Sequence, residues 1–280
     1  MKVGLYNCYP INLGNFLLDG GAMFGIVPKV LWANKIPADL ENRIPMKSRS
    51  LLLKGGNRNI LIDTGCGNKL NDKQKNIYGI NGTQPDVNKQ LHAVGLNKNE
   101  ITDVILTHLH FDHSGGATEF QNGVVVPAFK NATYYVHKEQ WETALSPSER
   151  DKASYFSENY IPLKDKGVLT ILEDDEQPIE GIELFLSNGH TKGQLLPLVK
   201  SSSTALFYCG DLIPTSAHLP VAWHMGYDNY PLTIIKEKKN ILERAYSEKW
   251  KLFFEHDPVV SACTLKKNKK GIVLDEIISF

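Results

Sequence analysis

The chain has 280 residues, 42% of them hydrophobic, and its 31 Lys and Arg offset 31 Asp and Glu. Length alone allows one or two domains with a sizeable core, and the balanced charge, with no basic run interleaved with aromatics, argues against nucleic acid as a partner. No stretch is long and apolar enough to span a bilayer, Met1–Asn7 lacks the apolar core of a signal peptide, and Cys8, Cys66, Cys209 and Cys263 form no C-x-x-C pair, so a cytoplasmic protein with reduced thiols and no membrane partner is expected.

In chain order, Arg49–Lys54 and Asn59–Asp63 flank Gly55-Gly56-Asn57 and predict a hairpin, which ends in the tight turn Asp63-Thr64-Gly65-Cys66-Gly67. Residues 68–84, rich in Asn, Lys, Gln and Gly, read as a surface loop or lid. A short amphipathic helix is expected over Asp86–Val94, stopped by Gly95. Ile101–Leu106 is an apolar strand, Thr133–Val136 another, and Lys138–Leu145 begins a helix. Ile182–Ser187 is a strand ending at Asn188-Gly189-His190. Leu195–Val199 and Ala205–Cys209 form a second hairpin, ending at Gly210-Asp211. Pro231–Tyr246 is a helix with proline near its first turn. Lys251–Phe254 is a strand ending at Glu255-His256-Asp257-Pro258, and the basic run Lys266–Lys270 reads as a solvated turn. No linker, low-complexity segment or repeat interrupts the chain, so a single domain over residues 1–280 is expected. Strands followed by mixed strands and helices in each half suit an α+β architecture, two sheets face to face with helices outside.

The segment Thr107-His108-Leu109-His110-Phe111-Asp112-His113 carries the most chemistry. It follows the buried strand, and in extended backbone residues i and i+2 share a side, so His108 and His110 can reach one ion together. A turn toward Ser114-Gly115-Gly116 would swing Asp112 and His113 toward a second point. Imidazole and carboxylate without thiolate suit zinc, and also manganese, iron or cobalt. Other strands also end in ligand-type residues: Asp63, His190, Asp211 and His256. Each alone has a bland reading, His190 and His256 as turn histidines and Asp211 as a helix N-cap. Together they supply a set for two metals, which can stabilise attacking and leaving oxygens at once.

This motif set, with Asp63-Thr64-Gly65 upstream and His190, Gly210-Asp211 and His256 downstream in that order, resembles the metallo-β-lactamase superfamily over most of the chain. The resemblance implies a four-layer αβ/βα sandwich of two mixed sheets, with metals at one sheet edge. It implies two divalent ions per chain, most simply zinc. His108, His110 and His190 would bind one, Asp112, His113 and His256 the other, and Asp211 would bridge them. Asp63 would orient ligands from behind.

Departures narrow the resemblance. Class B β-lactamases are exported and place cysteine or serine where this chain has Asp211, so β-lactam hydrolysis is not expected. Phe111 stands where redox di-iron members carry glutamate, and the extra substrate-binding segments of glyoxalase II and RNase Z are not found. Asp19–Gly25, Gly210–His218 and Trp223–Asp228 are similar to a subgroup of N-acyl-homoserine lactonases and organophosphate hydrolases. Several such lactonases place a carbonyl-binding tyrosine three residues after the bridging aspartate, where this chain has Pro214. His218 is the nearest polar substitute, unless it only bonds its own loop; Tyr227 and His224 come behind it. Met23, Phe24, Ile26, Val27 and Trp32 would line an acyl pocket, fill the core or form the contact of a homodimer.

The expected activity is a dinuclear metal-dependent hydrolase of small-molecule esters or lactones, N-acyl-homoserine lactones first. Asp112 or Asp211 would pass a proton to the leaving alkoxide and His218 would bond the substrate. The absence of a G-x-S-x-G elbow argues against a serine esterase. A phosphotriesterase or phosphodiesterase on the same metals is the alternative, and a metal-binding sensor without catalysis is the alternative of another class.

Overall fold

The computed structural model describes residues 1–80 and 84–280. One sheet holds β1 (Lys2–Val3), β2 (Tyr6–Asp19), β3 (Arg43–Gly55), β4 (Arg58–Ile62) and β5 (Asp103–Ile105). After a small separate hairpin, β6 (Thr118–Gln121) and β7 (Val124–Pro127), it is completed by β8 (Thr133–His137) and β9 (Leu169–Leu172). The other sheet runs in sequence order through β10 (Ile182–Ser187), β11 (Gln194–Lys200), β12 (Ala205–Tyr208), β13 (Lys251–Phe253), β14 (Ala262–Asn268) and β15 (Gly271–Ile277). Both sheets are mixed. β4, β5, β8 and β9 are parallel neighbours in one and β12 and β13 in the other, while the remaining neighbours are antiparallel.

The helices are α1 (Gly20–Phe24), α2 (Lys29–Trp32), α3 (Asp72–Ile77), α4 (Val87–Ala93), α5 (Phe111–Ser114), α6 (Lys138–Leu145), α7 (Ile161–Asp165) and α8 (Pro231–Ser247). The layers follow from the period of two in each strand. Leu51, Leu53, Ile60, Ile62 and Ile105 face Leu195, Val199, Leu206, Tyr208 and Phe253 between the sheets. Their neighbours Leu52, Leu61, Val104 and Val136 face outward and bury Leu91 of α4, Ala144 of α6 and Leu163 of α7. On the opposite side, Leu196, Leu198 and Phe207 pack under α8. That helix buries Ile234, Lys238, Leu242 and Ala245, one stripe at helical spacing. Helix, sheet, sheet, helix is the expected four-layer sandwich.

The expected β3–β4 hairpin turns through Gly56 and Asn57, both at positive φ (60° and 59°), the twist that suits a two-residue turn. Two expectations are corrected. The region 68–84 is not only loop: α3 occupies Asp72–Ile77, started by a capping box in which Asn71 and Gln74 each bond the other's backbone N–H. Within the rest of that expected lid, residues 81–83 lie outside the described residues. Lys266 and Lys267 belong to β14, paired with Val273 and Ile272, and only the end of the basic run makes a turn. Among the described residues no helix is long and apolar enough to cross a membrane, and all four cysteines are unpaired and buried.

Candidate metal centre

The polar residues gather where β4, β5, β10, β12 and β13 end. Asp63, the residue after β4, is buried at positive φ (59°), a conformation a non-glycine residue keeps only when its surroundings fix it. Its carboxylate does that, accepting from Thr107 N at 2.7 Å and Thr107 Oγ1 at 2.6 Å. The chain after β5 is thereby tied to the chain after β4. His110 then caps the single turn of α5, which carries Asp112 and His113. The two connections press together through glycine: a Cβ on Gly115 would stand 2.2 Å from Cys66 O, and one on Gly67 2.3 Å from Gly115 O.

Three ring nitrogens converge first. His108 Nε2 and His190 Nε2 lie 3.1 and 3.2 Å from His110 Nδ1, and Asp211 Oδ2 lies 3.1 Å from His190 Nε2. Ligands about 2.0–2.1 Å from a tetrahedral zinc stand about 3.3 Å apart, so this spacing fits a cation between them. A second group adjoins it. His113 Nε2 and His256 Nε2 are 3.1 Å apart, and Asp112 Oδ2 is 3.9 and 3.8 Å from them. Asp211 stands between the groups, with Oδ2 3.5 Å from His113 Nε2 and Oδ1 3.2 Å from His256 Nε2. That Oδ1 is buried and accepts no hydrogen bond. All seven expected ligand residues are thus brought together and buried.

Most of these rings are anchored through the other nitrogen. His108 Nδ1 meets Thr107 Oγ1 at 3.0 Å, His190 Nδ1 meets Asp228 Oδ1 at 2.9 Å, and His256 Nδ1 meets the Lys47 carbonyl at 2.9 Å. His113 Nδ1 meets Asp63 Oδ2 at 3.0 Å and Glu255 Oε2 at 3.0 Å. With the rings neutral, such contacts leave the converging nitrogens as acceptors, as metal-binding imidazoles require. His110 is the exception, its Nε2 buried without a partner.

Charge points the same way. Burial, with the neighbouring imidazoles, holds His108 and His110 well below the usual histidine range, so both are neutral. Burial also opposes charge on His256, but Asp211 and Glu255 outweigh it and raise the ring to about 9. Burial likewise opposes charge on Asp211, and His113, His190 and His256 outweigh it and hold the carboxylate well below its usual range. A buried anion with positive charge drawn around it fits a cation as well as protons.

A cavity of about 70 Å³ opens on the cluster, walled by Leu18, Met23, Met46, Tyr78, Phe111, Met225 and Tyr227, with Asp151 and Ser154 also in its lining. No Lys or Arg lines it. A larger cavity of about 610 Å³, beside Leu13, Gly67 and Phe129, contains none of the converging residues. Of the five residues offered for an acyl pocket, only Met23 lines the small cavity. Phe24 and Trp32 stack 5.2 Å apart in the core behind it, Val27 is buried with them, and Ile26 is 83% exposed.

His218 does not reach the cavity, and the role expected for it is corrected. The ring is fully buried, stacked on Phe24 at 4.5 Å. Its Nε2 donates to the Met23 carbonyl at 2.8 Å and its Nδ1 accepts from Thr215 Oγ1 at 2.7 Å, so no donor is left for a substrate. His224 also lies outside the lining, with Nδ1 2.9 Å from the Met225 carbonyl. Of the three donors expected from the sequence, Tyr227 alone lines the cavity, where Tyr78 presents a second phenol.

Sequence reasoning missed Glu255 and gave Asp228 no role. Glu255 carried a signal, a carboxylate closing the apolar strand Leu252-Phe253-Phe254. Asp228 carried none beyond its place in the Trp223–Asp228 run.

The family profile of the metallo-β-lactamase superfamily matches residues 43–256, which include every converging residue. The chain belongs to this superfamily. An N-acyl homoserine lactonase of Bacillus thuringiensis subsp. kurstaki is 29% identical over 217 residues, covering 71% of this chain and 76% of the lactonase. A probable metal-dependent hydrolase from Staphylococcus aureus matches with TM-score 0.90 and 31% identity over 100% of both chains. A dizinc quorum-quenching lactonase shares the fold at TM-score 0.82 and 21% identity, over 100% of this chain and 97% of its own. This member of the superfamily is a hydrolase that uses divalent metal.

Proposed function

We propose that the chain is a dinuclear metal hydrolase that opens lactones at the ester carbonyl, N-acyl-homoserine lactones first. The observation that carries the reading is Asp211, whose two oxygens face both imidazole groups at 3.1 to 3.5 Å. In this reading His108 Nε2, His110 Nδ1 and His190 Nε2 hold one ion, Asp112, His113 and His256 hold the other, and Asp211 is shared. Zinc suits the ligand set first, with manganese, iron and cobalt as substitutes. When bound, paired divalent ions lower the pKa of water and polarise a carbonyl oxygen.

The chain's own residues do the rest. Leu18, Met23, Met46, Phe111 and Met225 would offer an apolar wall to the tail of such a substrate beside the reacting ester. Methionine is unbranched and adaptable, so this wall can reshape around tails of different length. Partial burial, with the charges of Asp19 and Asp112, pushes the Tyr227 phenol up, so it would stay a donor for the substrate carbonyl. Asp112 or Asp211, both in the lining, would pass a proton to the leaving alkoxide. The lack of a lysine or arginine in the lining favours a neutral substrate such as a lactone over an anionic phosphodiester.

The test is turnover of N-hexanoyl-homoserine lactone by purified protein. The ring-opened acid is expected to accumulate with the zinc-loaded form and not with the metal-stripped form. If lactones are inert while aryl phosphotriesters turn over, the phosphotriesterase reading replaces this one. If two metals bind and neither class turns over, a binding role replaces both.

A further inference from the structure

Behind His113 lies a carboxylate that the orientation of the ring does not require. Asp63 Oδ2 already meets His113 Nδ1 at 3.0 Å, and its own carboxylate is held by Thr107 N and Oγ1. Glu255 Oε2 approaches the same nitrogen at the same 3.0 Å. The Tyr208 hydroxyl donates to that oxygen at 2.7 Å, and Glu255 Oε1 is buried with no partner at all. One imidazole N–H cannot saturate two carboxylates, and a half-satisfied buried carboxylate costs several kcal/mol unless it takes up a proton or positive charge stands near. Arg49 is a buried guanidinium nearby, but its nitrogens donate to the carbonyls of Phe254 and Asp257 at 2.6 and 3.0 Å and none bonds Glu255, so its charge compensates only from a distance. A closer place for positive charge is on the far side of His113, where Nε2 joins the second ligand group.

We propose that Glu255 is a positioning residue for that second group: through His113 it adds negative charge behind the ring and tightens the metal that His113, His256 and Asp112 hold. The inference rests on the dinuclear reading. It deepens that reading by making the two sites unequal, since His108 and His190 are each backed differently, by a hydroxyl and by one carboxylate.

The test is stepwise zinc affinity, measured by competition with a chromophoric chelator, together with the melting temperature of the metal-free form. Glu255→Gln keeps the shape and an acceptor for His113 while removing the charge. One of the two zinc affinities is expected to fall ten- to a hundredfold, as partners of metal ligands commonly cause. The other should stay within about twofold, and the metal-free form should melt no lower. Both affinities unchanged would overturn the inference, as would equal loss of both with a lower melting temperature. Tyr208→Phe is the second variant, removing the donor and keeping the charge; both affinities should hold, and loss of either counts against the proposal. Fewer than two zinc ions on the unaltered protein would instead sink the dinuclear reading itself.

Discussion

Both ring nitrogens of His218 are committed inside the protein, one to Thr215 and one to the Met23 carbonyl, and its face is stacked on Phe24. The side chain therefore braces the loop after β12 against the wall that Met23 contributes, and its loss should be felt as stability. His218→Ala leaves the Met23 carbonyl unpaired and a cavity beside Phe24, at a cost of at least about 2 kcal/mol. A lower melting temperature is expected, with kcat of the folded, metal-loaded enzyme within about threefold. Tyr227→Phe should do the opposite: an unchanged melting temperature and metal content, and kcat on the lactone lower by tenfold or more, about 1.4 kcal/mol. A large loss of kcat in His218→Ala with full metal would return the donor role to histidine.

The connections after β4 and β5 act as one element, because Thr64 to Gly67 and Gly115 to Gly116 pack backbone against backbone. Gly115→Ala must push Cys66 away, since its Cβ would lie 2.2 Å from a carbonyl oxygen. Overpacking of this kind costs about 1–3 kcal/mol, and the displaced α5 carries Asp112 and His113. Zinc titration of this variant should find the second site weakened and the first retained; equal loss at both would mean that α5 does not move alone. These glycines and histidines were legible because sequence order and residue type carry the constraint. Other elements were not. β2 contains Pro10 and Gly14, which break the strand pattern. Pro10 is tolerated because β1 pairs only with Tyr6 and Asn7, leaving that edge without a ladder bond to lose. Gly14 sits at a register shift opposite β3. α3 buries none of its residues, so its apolar period is silent and only the Asn71–Gln74 box announces it. Glu255 escaped because its meaning depends on His113, a neighbour only in space.

At the scale of the molecule, each proposed metal site draws on both sheets: His108, His110, Asp112 and His113 follow β5, while His190, Asp211 and His256 follow strands of the other sheet. Metal bound there would staple the sandwich along one edge. Saturation at a hundred times Kd is worth about 2.7 kcal/mol, and in a chain of this size 1 kcal/mol moves Tm by about 2–4 °C. Removing metal with a chelator should therefore lower Tm by about 5 °C or more, and an unchanged Tm would argue that the sheets close without it. The cavity under that edge has a further use. Met23, Met46 and Met225 line it, and the chain's only other methionine, Met1, packs against the core between the sheets. Isotopic labelling of the methionine methyl groups thus puts three magnetic reporters on the cavity wall and keeps the fourth as a reference, so a spectrum of four resonances can report whether the proposed acyl lactone enters there.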